Sequence, residues 1–315
     1  MPDILLLSLL SLLPAVEGGD VDATLPAVAR ITSEDLLSYQ ICTGTLIAPD
    51  VVLTAAHCVS PAGSMRVDIT GEDATTTLRS FGVRTALAHP AYNPEGNDGD
   101  DHAFNDIGLL VLAEEVSADV AAPLPLHRAT LADDIAGERV LSFGYGRTQT
   151  EESGTKRSVE LFIGWLLDDS YSLAGFDLND VEAGAVTIKK GLCGGDSGGP
   201  DFVLGEDAET RELIGVHALA HSNCGLAEST RLDTHLQDFI DPVLAGDVPG
   251  GCTGDTLDAA SCNAALESGG CGCSTANDQR SSSSLLAALL AALCPLARRR
   301  GGRPSSGLKG HLNRP

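Results

Sequence analysis

The chain has 315 residues, 43% of them hydrophobic, and a formal net charge of −24. The apolar fraction suffices for a packed core, and the length allows one large domain or two smaller ones. With 44 acidic residues against 20 Lys and Arg, nucleic acid is excluded as a partner, because phosphate binding needs clustered cations; a soluble, self-repelling surface is expected instead.

Residues 4–13 are almost all Leu, Ile or Ser, and Pro14-Ala15 follows. The run is too short to span a bilayer and reads as a signal peptide over residues 1–15, although Asp3 stands where a basic residue is usual. Nine cysteines agree with export, because disulfides persist outside the reducing cytosol. From residue 16 to about 244, short runs of Val, Ile, Leu and Thr alternate with Gly, Pro and Asp turns, the rhythm of an all-β protein. Such runs lie at 44–48, 51–54, 107–112, 139–144 and 212–216. Asn97-Asp98-Gly99-Asp100-Asp101 reads as a solvated turn, with calcium binding as the alternative. A helix is expected over 234–240, where Leu236, Phe239 and Ile240 share a face and Pro242 follows soon after its end. Residues 247–284, rich in Gly, Ser, Ala and Cys, read as a stalk. It carries Cys252, Cys262, Cys271 and Cys273, whose pairing the spacing leaves open. Residues 285–315 join a 13-residue apolar run to a basic tail, and no acid occurs after Arg280.

Two segments carry chemistry. Gly194-Gly195-Asp196-Ser197-Gly198-Gly199-Pro200 boxes a serine between glycines behind an acid, which exposes a nucleophile on a tight turn. Far upstream lies Thr54-Ala55-Ala56-His57-Cys58. Peptide hydrolysis by serine needs a base for the hydroxyl proton, an acid to hold that base, and donors for the oxyanion. The candidates follow the chain order His57, Asp106, Ser197, with Asp106 opening the run Ile107-Gly108-Leu109-Leu110-Val111-Leu112. These motifs and their order resemble the trypsin/chymotrypsin-like serine protease family, rather than subtilisin or the α/β-hydrolases. His89-Pro90-Ala91-Tyr92-Asn93 and Gly144-Tyr145-Gly146 are also similar to family segments, so the resemblance covers roughly residues 16–244.

The resemblance implies a chymotrypsin-like fold over 16–246: two six-stranded antiparallel β-barrels with a short C-terminal helix. It implies His57 as general base, Asp106 as its orienting acid, Ser197 as nucleophile, and the N–H groups of Gly195 and Ser197 as the oxyanion hole. It implies the bridges Cys42–Cys58 and Cys193–Cys224, the shorter loop contributing about 3 kcal/mol. Metal binding by these cysteines is discounted because no CxxC pair occurs, and neither cofactor nor metal is expected. Val16-Glu17-Gly18-Gly19 is similar to the start of mature family members, which implies an ion pair between the Val16 amine and Asp196. Glu17 departs from the usual apolar residue. Gly191, six residues before the serine, implies a primary pocket without the carboxylate that selects Lys or Arg. Ala218, Leu219 and Ala220 stand where the family has Ser-Trp-Gly, and with Ala227 imply a narrowed pocket for small to medium apolar side chains. His217 and His221 flank this segment; surface or packing roles are expected of them, with a part in shaping substrate subsites as the alternative.

Gly270-Cys271-Gly272-Cys273, the apolar run and Arg298-Arg299-Arg300 resemble the MYXO-CTERM sorting signal of some Gram-negative bacteria. This implies processing near the Cys motif and delivery to the cell surface; an ordinary tail is the alternative. The expectation is thus a secreted, monomeric serine endopeptidase acting on proteins or peptides, with attachment to a membrane or cell surface through its C-terminal region. The competing expectation is a catalytically weak, protease-like binding module on the cell surface, suggested by the loss of Ser-Trp-Gly.

Overall fold

The structure, a computed structural model, describes residues 19–248 apart from 35–38, 61–63, 95–103, 149–151, 177–187, 205–210 and 222–223. The expected signal peptide, Val16, Asp98, Asp100, Asp101, the four stalk cysteines and residues 285–315 lie outside the described set.

The N-terminal strands close into a barrel. Its order is β2 (Val28–Glu34), β3 (Tyr39–Ala48), β4 (Val51–Thr54), β7 (Gly108–Leu112), β6 (Thr77–Ala88) and β5 (Met65–Thr70), each pair antiparallel. Continuous apolar runs make strands buried on both faces. β4 and β7 are such runs, buried at every position. The second barrel runs β9 (Arg157–Leu166), β8 (Arg139–Gly144), β12 (Pro200–Leu204), β13 (Arg211–Ala220), β14 (Leu226–Arg231) and β10 (Ser170–Phe176), and β10 returns to β9 to close it. β1 (Asp20–Val21) adds to β9 and β11 (Ile188–Lys190) to β10. The chain therefore forms two six-stranded antiparallel barrels with a short C-terminal helix.

The runs expected at 44–48, 51–54, 139–144 and 212–216 fall inside β3, β4, β8 and β13. The run from Ile107 starts one residue late, because Ile107 belongs to the turn that presents Asp106. The C-terminal helix differs more. A π-helical turn, Leu236–Ile240, passes into α1 (Asp241–Leu244), and Pro242 lies in the first turn of α1. Proline is tolerated there because the first-turn N–H groups have no intrahelical acceptor. Leu236, Phe239 and Ile240 are buried as expected.

One apolar cluster fills the first barrel and takes in Phe143, Phe202 and Val216 from the second, with Phe239 and Val243 from the C-terminal turns. Another, including Val140, Leu161, Ile163, Tyr171, Leu173 and Ile214, fills the second barrel. Register shifts fall between Asp201 and Phe202 in β12 and between His217 and Leu219 in β13. Such bulges re-aim side chains, and both lie beside the Ser197 turn.

Candidate active site

β4 ends at Thr54 and the chain tightens into a 3-10 turn, Ala56–Cys58, that carries His57. Asp106 reaches this turn from the neighbouring strand, just before β7, where Gly108 pairs with Thr54 of β4. Its Oδ1 accepts the His57 backbone N–H at 2.9 Å, and its Oδ2 accepts Nδ1–H at 2.6 Å. Gly108 makes the approach possible, since a Cβ there would lie 2.7 Å from Val59 and 3.0 Å from the Ala55 carbonyl. Asn105 turns the backbone with φ +53°, a left-handed conformation that Asn tolerates better than most residues. It is pinned by Asp169, which accepts its N–H at 2.8 Å, and by its own amide, which donates to Ala91 O at 3.0 Å. Thr230 Oγ1 donates to the Asp106 carbonyl at 3.1 Å. Asp106 is 1% exposed while the His57 side chain keeps 28% exposure. The base is thus open on one side and held on the other. Because the carboxylate accepts from Nδ1, the neutral ring carries its proton there and leaves Nε2 free to take one.

Ser197 sits on a turn between Cys193 and β12. Thr43 on β3 ties that turn to the first barrel: its N–H donates to Ser197 O at 2.8 Å and its hydroxyl to Gly195 O at 3.0 Å. Gly195 has φ +101° and Gly198 φ +80°, conformations open to glycine at little cost. His57, Asp106 and Ser197 line one cavity of about 360 Å³, with Ala218, Leu219, Ala220 and His221. A larger cavity of about 490 Å³, walled by Phe104, Asp133, Asp168, Asp169 and Arg231, shares none of these residues. Gly191 is not among the residues that line this cavity, and a Cβ there would overlap the carbonyl oxygen of Cys224, which does line it.

Asp196 is fully buried. Its Oδ1 accepts the Gly146 N–H and its Oδ2 the Cys193 N–H, each at 2.8 Å. Burial pushes its carboxyl up to about 6, against the pull of these bonds and of His217. Gly144 and Gly146 leave room for it, since a Cβ at Gly144 would overlap Asp196 Oδ1 and one at Gly146 would come within 2.5 Å. The partner expected for Asp196, Val16, lies outside the described residues.

Cys42 is bonded to Cys58 and Cys193 to Cys224. The ligand atoms of Cys42, His57 and Cys58 lie within 4.8 Å of one another, but a disulfide leaves no thiolate for a metal. Sequence reasoning missed Thr43, Asn105, Thr230 and Asp201. Thr43 and Thr230 are lone polar residues with no local signal, whereas Asn105 and Asp201 directly adjoin the Asp106 and Ser197 motifs without marking a role of their own.

The sequence model of the trypsin family matches residues 20–243. CLIP domain-containing serine protease B4 of Anopheles gambiae is 28% identical over 222 residues, covering 64% of this chain and 60% of its own. Granzyme B of Homo sapiens is 29% identical over 215 residues, 64% of this chain and 83% of its own. Chymotrypsin-like elastase family member 1 of Rattus norvegicus is 31% identical over 173 residues, 51% of this chain and 62% of its own. The chain spans about three-fifths of the length of the first curated relatives it matches. A solved structure described as GrC superimposes with a TM-score of 0.56 at 21% identity, over 72% of this chain and 99% of that one. That likeness bears on the fold.

Proposed function

Because the chain belongs to the trypsin family of serine proteases, we propose that it is a secreted endopeptidase whose triad is His57, Asp106 and Ser197. The observation that carries this reading is the double hold of Asp106 on His57, by backbone N–H and by Nδ1, beside the cavity that Ser197 also lines.

His57 Nε2 takes the Ser197 hydroxyl proton as Oγ attacks the scissile carbonyl carbon. Asp106 stabilises the imidazolium that forms. The oxyanion is held by the N–H groups of Gly195 and Ser197. Collapse of the intermediate breaks the C–N bond, and His57 returns the proton to the departing amine. Water then hydrolyses the acyl-enzyme by the same route.

The primary pocket takes small to medium apolar side chains, because Ala218, Leu219 and Ala220 line the cavity beside Ser197. Signal-peptide removal frees Val16, whose amine pairs with Asp196. The stalk and residues 285–315 direct the protein to the cell surface, with processing near the Cys motif. Among the described residues no helix is long and apolar enough to cross a membrane.

Labelling by a fluorophosphonate probe tests the triad. Full-chain protein is expected to label, and Ser197→Ala to abolish it; equal labelling of both would overturn the assignment. Cleavage of a peptide library tests the pocket, and a profile dominated by Lys or Arg would overturn that part.

A further inference from the structure

Behind the Ser197 turn lies a buried polar cluster that the triad chemistry does not use. His217 on β13 is 2% exposed and Asp201 on β12 is fully buried. His217 Nε2 lies 2.9 Å from Asp201 Oδ1, and Nδ1 lies 3.0 Å from the backbone carbonyl oxygen of Asp196. A carbonyl oxygen only accepts, so Nδ1 carries a proton. Asp201 already accepts from the Ser142 hydroxyl at Oδ1 and from the Tyr171 hydroxyl at Oδ2. Those bonds favour the carboxylate, which makes Nε2 a donor too. These contacts favour an imidazolium that bridges a carboxylate and the residue before the nucleophile. Burial opposes its charge, but Asp201 and the bonds to Asp201 and Asp196 outweigh burial and hold His217 above its usual value. Asp201 is held below the usual carboxylate range, its burial outweighed by His217 and the hydroxyls.

Glycine clears the space for this arrangement. A Cβ at Gly199 would lie 2.7 Å from Nδ1, and one at Gly215 would overlap the Tyr171 hydroxyl. The backbone of His217 grips the same turn, donating to Gly199 O at 2.9 Å and accepting from the Gly198 N–H at 2.8 Å.

We propose that His217 is a positioning residue for the nucleophile: its imidazolium, anchored on Asp201, holds the Asp196 carbonyl and thereby fixes the turn that presents Gly195 and Ser197. This rests on Ser197 being the nucleophile. The hold acts on the Asp196 carbonyl, while the Asp196 side chain, engaged by Gly146 and Cys193, adds its charge to that of Asp201 in favouring the protonated ring. The groups facing His217 are Asp201 from β12 and Asp196 from the turn, with Tyr171 from β10 and Ser142 from β8 reaching it through Asp201. A histidine whose folded value is raised contributes fully below about 6.5 and loses that contribution as pH rises through the folded value. Positioning is therefore lost on the alkaline side.

The test measures fluorophosphonate labelling rates from acid to alkaline pH for full-chain protein, Asp201→Asn and His217→Gln, with melting temperatures and 15N spectra of the imidazoles. Wild type is expected to show one histidine, absent in His217→Gln, with both ring nitrogens protonated at neutral pH. His217→Gln is expected to slow labelling about tenfold or more at neutral pH, a geometric loss at the reacting atoms. Asp201→Asn is expected to move an alkaline limb of the rate to lower pH, because the charge that holds the proton is gone. A neutral His217 at neutral pH would overturn the proposal, as would folded variants with the wild-type rate and profile. If neither variant folds, the wild-type imidazolium signal decides: its loss must follow the same pH curve as a limb of the labelling rate, and a mismatch overturns the proposal. Failure of wild type to label at any pH would sink the protease reading and this inference together. Labelling without any effect of His217 or Asp201 sinks the inference alone.

Discussion

At Asp106, one carboxylate does two jobs at His57: Oδ1 fixes the backbone of the 3-10 turn and Oδ2 fixes the ring. Replacing it by Asn keeps the shape but presents an amide donor to Nδ1, so the ring proton moves to Nε2 and the base is lost. Asp106→Asn is expected to lower kcat on the order of 10⁴-fold with little change in melting temperature. Peptide-substrate kinetics beside thermal unfolding check this, and near-wild-type kcat would break the assignment. Gly191 yields the opposite expectation. A carboxylate there should confer cleavage after Lys or Arg if the site were open. Yet a Cβ at Gly191 overlaps the Cys224 carbonyl oxygen, and Gly225 O lies 2.9 Å away. Gly191→Asp is thus expected to lower the melting temperature and impair labelling without creating Lys or Arg cleavage; a stable variant that cleaves after Arg would refute it. The triad residues were legible because each sits in a contiguous motif. The contact between His217 and Asp201 was not, because a packing role for His217 does not name its partners and nothing in the sequence beside Pro200 marks Asp201 as buried.

The C-terminal turns pack onto the first barrel through a ring cluster. His89 lies edge-on to both His235 and Phe239, with ring centroids 4.9 Å apart in each case. Burial pushes both histidines down to about 4, His235 adding to the effect on His89. His235 Nε2 is buried without a hydrogen-bond partner among the described residues. Both rings are therefore neutral at physiological pH, and the fold disfavours their protonation. A group whose folded value lies below its unfolded value of about 6.5 contributes stability above that pH and loses it as pH falls toward the folded value. His235→Phe removes one such group together with an unsatisfied nitrogen. It is expected to flatten the fall in melting temperature between about pH 6.5 and 4, and an unchanged acid slope would show that the cluster does not govern it. The apolar face of these turns was legible from Leu236, Phe239 and Ile240. The π-helical geometry was not, because apolar spacing cannot separate i+4 from i+5 bonding over one turn. Pro242 was read as a terminator, yet a first-turn proline looks the same from sequence.

For the molecule as a whole, the all-β rhythm and the family motifs made two barrels legible, while the closure of the second by β10 meeting β9 depends on pairings that no single strand reveals. Asp196 lies far along the chain from its expected partner, Val16, and the energetics of the proposed pairing follow from burial. Asp196 is buried against Gly144, Gly146 and Cys193 with its carboxyl raised to about 6, so its ionised form is penalised, increasingly as pH rises from the usual carboxylate range and fully above about 6. A cation placed beside it removes that penalty. The Val16 amine is the proposed cation, with a reference value of about 7.7–8.0 that pairing raises. Its contribution is present at lower pH and disappears as pH climbs through the raised value. A chain beginning at Val16 is therefore expected to lose labelling rate and melting temperature together at alkaline pH. The same chain with one extra residue before Val16 is expected to label weakly throughout and to lack that alkaline fall in melting temperature. Asp201→Asn leaves this limb in place, which separates it from the His217 effect. N-terminal sequencing of the secreted protein, run beside the two titrations, decides the matter: full activity from a chain that begins elsewhere than Val16 would refute the pairing.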